Sequence, residues 1–271
     1  MKPGETTAVP DWLTVAAIAV VTHVLSVVIH EALGHGGSCI AVGCIPSLVT
    51  TTQFQGNEDS LPKLAVDAVS AGGSFANLVA AVIAILLLRR QRGPARTHWF
   101  FLWLLATVNL LAAAGYPLYS GLANIGDWAN IVRDLKPAWL WHLILTAIGA
   151  ASYWFATRWA MGRLGRRLWT AGRRVPAAYR YTLVSYVTIA AVAILGGIFE
   201  PGGAFLVLIS SAAASLGGAS ALAWGPQLLH DSHLGEPPEE PLQVPRDGRW
   251  IFAAALAALA FVAVLGPGIV L

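Results

Sequence analysis

Seven long apolar runs punctuate this chain, and each approaches the ~20 residues that a helix needs to cross a bilayer. They are read at Trp12–Ile40, Leu64–Leu88, Trp99–Leu122, Trp139–Met161, Tyr181–Phe199, Ala204–Trp224 and Trp250–Leu271. Hydrophobic residues make up 56% of the chain and charged residues only 11%, about half the charge of an ordinary soluble domain. Mean hydropathy is +0.65. Many Trp and Tyr residues fall at the ends of the runs, where an apolar ring with a polar tip suits the membrane surface. The expected fold is therefore an all-α integral membrane protein, a polytopic bundle of about seven transmembrane helices in a single membrane domain over residues 1–271. The first run is too long for a cleaved signal peptide.

The arginines predict an orientation. Connection 2–3 holds Arg89, Arg90, Arg92 and Arg96, and connection 4–5 holds Arg158, Arg163, Arg166, Arg167, Arg173, Arg174 and Arg180. Lys2, Arg246 and Arg249 fall on the same side, against only Lys63, Arg133 and Lys136 on the other. The positive-inside rule then puts the amino terminus in the cytoplasm and the carboxy terminus outside. The net charge of +3 and pI near 9.1 come mostly from these anchors. They do not form a nucleic-acid surface, which needs interleaved polar and aromatic residues on a soluble module. Connection 6–7, Gly225–Arg249, contains Glu-Pro-Pro-Glu-Glu-Pro and reads as an extended cytoplasmic loop.

Inside the first run stands Ile29-His30-Glu31-Ala32-Leu33-Gly34-His35. An intramembrane charge costs several kcal/mol, so a His-Glu-His cluster there marks a functional site. The residue types suit zinc: imidazoles ligate the metal and a carboxylate takes a proton from an activated water. The spacing is HExxxH, not HExxH. Five positions on an α-helix leave two side chains ~140° apart around the axis and ~7.5 Å apart along it. One solution is a π-bulge, which absorbs the extra residue, with Gly34 easing a local break. The other is a change of ligands, because Glu31 and His35 lie four apart on one face.

Under the predicted topology Asp67, Gly72, Gly73, Asn77 and Asp127 converge with the histidines on the outer half of the membrane. Three segments resemble the site-2 protease family of intramembrane zinc metallopeptidases. Ile29–His35 resembles that family's HExxH helix, Ser70-Ala71-Gly72-Gly73-Ser74-Phe75-Ala76-Asn77 its Gly-x-x-x-Asn segment, and Asn109-Leu110-Leu111 followed by Gly126-Asp127 its aspartate-bearing helix. The resemblance implies a catalytic-like core of three helices over residues 12–130, with helices 4–7 (137–271) added to it. It implies His30, His35 and Asp127 as zinc ligands, Glu31 as general base, and Asn77 and Gly73 at the substrate. The chain departs from the family by the extra residue in the first motif and by a late Pro117 and Asp127 in the third. Well-known members carry their zinc toward the cytosol, whereas the arginines here put the cluster toward the outside.

Other readings stay open at these positions. Asp127 could cap a short helix, and Asp67 is an alternative third ligand. Asn77 could be helix-packing glue, and His23 a packed, hydrogen-bonded residue. Cys39 and Cys44 lie where disulfides persist, with Gly43 to help a tight loop close. A closed structural site of His30, His35, Cys39 and Cys44 is a rival. The expected function is zinc-dependent hydrolysis of a membrane-embedded or juxtamembrane polypeptide. The alternative is a non-catalytic membrane protein on the same scaffold that binds a partner helix, or a transporter. Helices half-broken at Gly72-Gly73 and Gly196-Gly197 would suit transport.

Overall fold

The structure is a computed structural model that describes residues 9–91, 95–168, 174–203, 216–229 and 241–271. Asp11 starts the first helix by accepting hydrogen bonds from the Thr14 amide (2.9 Å) and hydroxyl (2.8 Å), which hold its carboxyl below the usual carboxylate range. Helix α1 (Trp12–Val28) runs without interruption into a π-helix (Ile29–Gly36) and then α2 (Gly37–Ala41). A hairpin follows, β1 (Ile45–Val49) and β2 (Phe54–Asn57), then α3 (Lys63–Arg90), α4 (Thr97–Ala123), the short α5 (Asp127–Val132), α6 (Ala138–Gly165) and α7 (Arg174–Gly197). Short turns α8 (Gly217–Ala219) and α9 (Ala221–Trp224) lead to a 3-10 turn. The last elements are α10 (Gly248–Ala260), a second π-helix (Phe261–Leu265) and β3 (Ile269–Val270).

Among the described residues five helices are long and apolar enough to cross a membrane: Trp12–Ala41, Lys63–Arg90, Thr97–Ala123, Arg174–Gly197 and Gly248–Leu265. The predicted run Trp139–Met161 falls on α6, which spans 28 residues. Its apolar content is diluted by Trp139, Trp141, His142, Tyr153 and Trp154. Of the run Ala204–Trp224 only residues 216–224 are among those described, and there the helix is broken into short turns. The last run ends early, because residues 269–270 form a strand rather than helix.

Many large apolar side chains point outward, while several polar ones are buried inside. Val79, Ile83, Phe155, Val187 and Phe252 are exposed, whereas Asn77, Thr107, Asn109, Thr157 and Ser185 are fully buried. That pattern suits a lipid surround, where helices associate through packing and internal hydrogen bonds. The buried hydroxyls of Thr107, Thr157 and Ser185 return to carbonyls four residues back. Helices α4 and α6 lock through the Trp103 indole, which donates to Ala160 O at 2.9 Å. They also close at Gly149, where a Cβ would stand 2.6 Å from Leu118 Cα.

The connections segregate to two ends of the bundle. At one end the backbone of residues 242–244 threads beneath the helices: Leu242 N donates to Arg167 O, Gln243 N to Ala95 O, and Asp11 N to Val244 O. This part of the connection expected to be an extended loop has no helix or strand over 241–247 and is packed, with Leu242 and Val244 buried. Its acidic, proline-rich stretch lies outside the described residues. At the other end β3 joins the hairpin to give a sheet of order β2-β1-β3. Val49 pairs with Phe54 on one side and Ile269 on the other. The hairpin tip is tied to the end of α7: Thr51 Oγ1 donates to Gly196 O at 3.1 Å, Gln53 Nε2 to Glu200 Oε1 at 2.9 Å, and the Thr52 hydroxyl to Glu200 Oε2.

Candidate metal centre

The extra residue between the two histidines is absorbed by the backbone. Residues 29–36 are π-helical, and the Gly37 N–H reaches back five residues to Ala32 O. A hydrogen bond that closes one residue later widens the turn, so side chains five apart return to the same face. His30 Nε2 and His35 Nε2 stand 3.2 Å apart. Of the two predicted solutions the chain uses the π-helix. Gly34 serves it through close packing, since its Cβ would lie 2.6 Å from Gly73 Cα.

Asp127 arrives from the other side. Helix α4 stops at Asn124 in the left-handed region (φ 56°, ψ 39°), a conformation an asparagine tolerates. Gly126 follows at φ 88°, which favours glycine. The turn sets Asp127 at the first position of α5, and the Trp128 indole anchors that helix to Ser74 Oγ at 3.0 Å. Asp127 is not a capping residue: the position before α5 is Gly126, and no side chain caps the helix. Instead Asp127 Oδ2 stands 3.4 Å from His30 Nε2 and 3.5 Å from His35 Nε2.

Both imidazoles are held by their other nitrogen. His30 Nδ1–H donates to Asn77 Oδ1 at 2.6 Å and His35 Nδ1–H to Val69 O at 2.8 Å. Both Nε2 atoms then turn lone pairs toward Asp127. With both imidazoles neutral, three acceptors face one another at 3.2–3.5 Å and repel unless a cation or a proton sits among them. Asp127 Oδ2 is buried and has no hydrogen-bond partner among the described residues. Ligand atoms 2.0–2.2 Å from a tetrahedral zinc lie about 3.3–3.6 Å apart, so the triangle has the size zinc requires. Among the described residues His30, His35 and Asp127 are the group able to hold a metal.

The surroundings complete the support. Asn77 is fully buried and donates to Asn109 Oδ1 (2.7 Å) and Ser26 O (3.3 Å). Asn109 in turn donates to Leu105 O at 2.8 Å. Tyr116 stacks on His30 with ring centroids 4.3 Å apart, and Phe54 lies parallel to His35 at 6.3 Å. The absence of a side chain at Gly73 is what admits the imidazoles, because a Cβ there would meet His30 Cε1 at 2.5 Å and His35 Nε2 at 2.6 Å. Both predicted substrate contacts, Asn77 and Gly73, thus touch the histidines.

Other expectations are corrected. Asp67 lies outside the cluster of His30, His35 and Asp127: one turn after Lys63, it pairs with that ammonium at 2.8 Å. Cys39 and Cys44 are bonded to each other, which removes the His/Cys site. His23 is packed edge-on against Phe261 (5.5 Å), but its Nε2 has no hydrogen-bond partner among the described residues. Gly72-Gly73 does not break a helix, since it lies inside the continuous α3, whereas Gly196-Gly197 is where α7 ends. They are places of close approach instead, Gly73 to the histidines and Gly196 to Phe261.

Glu31 follows His30 on the π-helix and lines a cavity of ≈ 270 Å³ together with His30, Asn77 and Tyr116. The Thr51 and Thr52 hydroxyl residues close its side toward the hairpin. The parts that sequence reasoning missed are Tyr116, the Val69 carbonyl and the Glu200 tie. Comparison with protein-family models, with curated proteins and with solved structures finds no match.

Proposed function

We propose that this chain is an intramembrane zinc metalloprotease, resembling the site-2 protease family, that hydrolyses peptide bonds of membrane-embedded or juxtamembrane polypeptides. In this reading the chain crosses the bilayer seven times with its amino terminus in the cytoplasm, and α1, α3 and α4 form the core around the metal. The observation that carries the reading is the triangle of His30 Nε2, His35 Nε2 and Asp127 Oδ2, acceptors 3.2–3.5 Å apart. Three protein ligands leave a tetrahedral metal one open position, the mark of a catalytic rather than a structural site. The continuity of α3 through Gly72-Gly73, where a transporter would have an interrupted helix, favours this reading over transport.

His30, His35 and Asp127 would hold zinc, which when bound supplies a Lewis acid and an acidified water. Asn77 and Val69 keep the two imidazoles in the tautomer that presents Nε2. Glu31, beside His30 on the cavity wall, accepts the proton of the attacking water. The water oxygen bonds to the scissile carbonyl carbon. As the C–N bond breaks, Glu31 returns the proton to the leaving amine nitrogen. The apolar walls limit the water supply, so the reaction draws on the polar end of the bundle.

The test is metal analysis and cleavage of a quenched-fluorescence peptide library by purified protein in detergent. Wild type should carry one zinc and cleave. Glu31→Gln should keep the zinc and lose cleavage by at least about 100-fold. A metal-free wild type, or a Glu31→Gln protein with full activity, would overturn the reading.

A further inference from the structure

The cavity beside Glu31 continues away from the metal ligands. It runs along α1 as far as His23, seven residues and about 10 Å down the helix from His30. Its far walls are apolar, with Val108 and Leu118 from α4 and Ile189 from α7. The remaining wall is the irregular chain at Gly217 and Gly218. That irregularity is held in place by Tyr153, whose hydroxyl donates to Gly218 O at 2.8 Å and accepts from Ala221 N at 3.0 Å. A Cβ added at Gly217 or Gly218 meets no atom of the described residues within 4 Å. Among the described residues these glycines leave space, unlike Gly34, Gly72 and Gly73, where helices touch.

We infer that the cavity between Glu31 and the Gly217-Gly218 wall receives a large apolar side chain of the polypeptide, one that flanks the scissile bond. The inference rests on the metallopeptidase reading and adds its specificity. Several features favour a side chain as occupant. The space begins at the proton-transferring carboxylate, is roughly the size of one or two large side chains, and is walled by apolar groups. A pocket of this kind discriminates by fit, and a single methylene changes binding about 10-fold or more.

The probes are two short peptide hydroxamates, identical except for a benzyl or a methyl side chain next to the metal-binding group. Their affinity for the zinc-loaded full chain in detergent is read by calorimetry, so no turnover is needed. Wild type should bind the benzyl compound at least about tenfold more tightly. Gly218→Leu and Ala112→Leu fill the pocket from two different elements of its lining. Each should abolish that preference while leaving zinc content and affinity for the methyl compound unchanged. If one variant does not fold, the other asks the same question. Equal affinities in wild type, or a preference that survives the filling, would overturn the inference and leave the metal reading standing. Loss of the methyl compound in both variants would also overturn it, because the fillings would then reach the metal. If neither compound binds the zinc-loaded wild type, the metal has no open position and the metallopeptidase reading itself fails.

Discussion

His30 Nε2 and His35 Nε2 lie 3.2 Å apart although five positions separate the two residues. An α-helix would hold them ~140° apart, so this proximity belongs to the π-helix from Ile29 to Gly36. Both atoms face Asp127 Oδ2. His30→Ala, His35→Ala and Asp127→Asn should therefore each reduce bound zinc from one per chain to near zero. Asp67→Asn should leave it unchanged, because that carboxylate is paired with Lys63. Metal analysis of the purified variants checks both halves.

Asn77 orients His30 without touching the metal position itself. Removing such a partner typically weakens metal binding 10- to 100-fold. Asn77→Ala should bind zinc within about that range below wild type in a chelator competition. A variant with unchanged affinity would mean that the π-helix alone fixes the ring.

Three glycines near the motif should answer differently to one added methyl. Gly73→Ala drives a Cβ into both imidazoles, and Gly34→Ala drives one into the α3 backbone. Overpacking of this kind costs about 1–3 kcal/mol. Both variants should show a lowered melting temperature and lost zinc. Gly37→Ala meets nothing within 4 Å and has helical angles (φ −63°, ψ −41°). It should be neutral or stabilising by about 0.5–1 kcal/mol.

The Cys39–Cys44 disulfide packs against Val69 and Phe54, and Val69 O is the acceptor for His35. Closing so short a loop contributes on the order of 2 kcal/mol. The double Cys39→Ser/Cys44→Ser variant should unfold at lower denaturant by about that amount and bind zinc less tightly. A thiol probe should label the wild type only after reduction.

Orientation is decided by labelling single cysteines in a background lacking Cys39 and Cys44. Ser60→Cys lies at the end that carries the hairpin and α5, and Arg90→Cys at the arginine-rich end. The arginine excess predicts that Ser60→Cys reacts from outside and Arg90→Cys only from the cytoplasm. The reverse pattern would turn the candidate metal centre toward the cytosol.

Spacing and hydropathy made much of this legible. Apolar runs of the right length located the five long apolar helices, and a five-residue interval between two histidines called for a non-α backbone. What stayed hidden depends on contacts far apart in sequence. Val69 supports His35 through a carbonyl, which every residue possesses, and Tyr116 reaches His30 from another helix. The sheet strands have five, four and two residues, too short to show alternation. Pro46 and a register shift interrupt β1 further. Prolines and acids suggested an extended loop over Gly225–Arg249, but gave no sign that the amides of Leu242 and Gln243 would satisfy carbonyls of two other connections.

The pairing of Val49 with Ile269 also sets a timetable for biogenesis. Glu31, both histidines and Asp127 leave the ribosome long before the third strand exists. Until then β1 and β2 form a lone two-stranded ribbon, which is marginal by itself. A nascent chain thus holds every ligand of the candidate centre before it holds the finished wall. Since β3 follows α10 in the chain, the sheet cannot be complete until α10 has been synthesised.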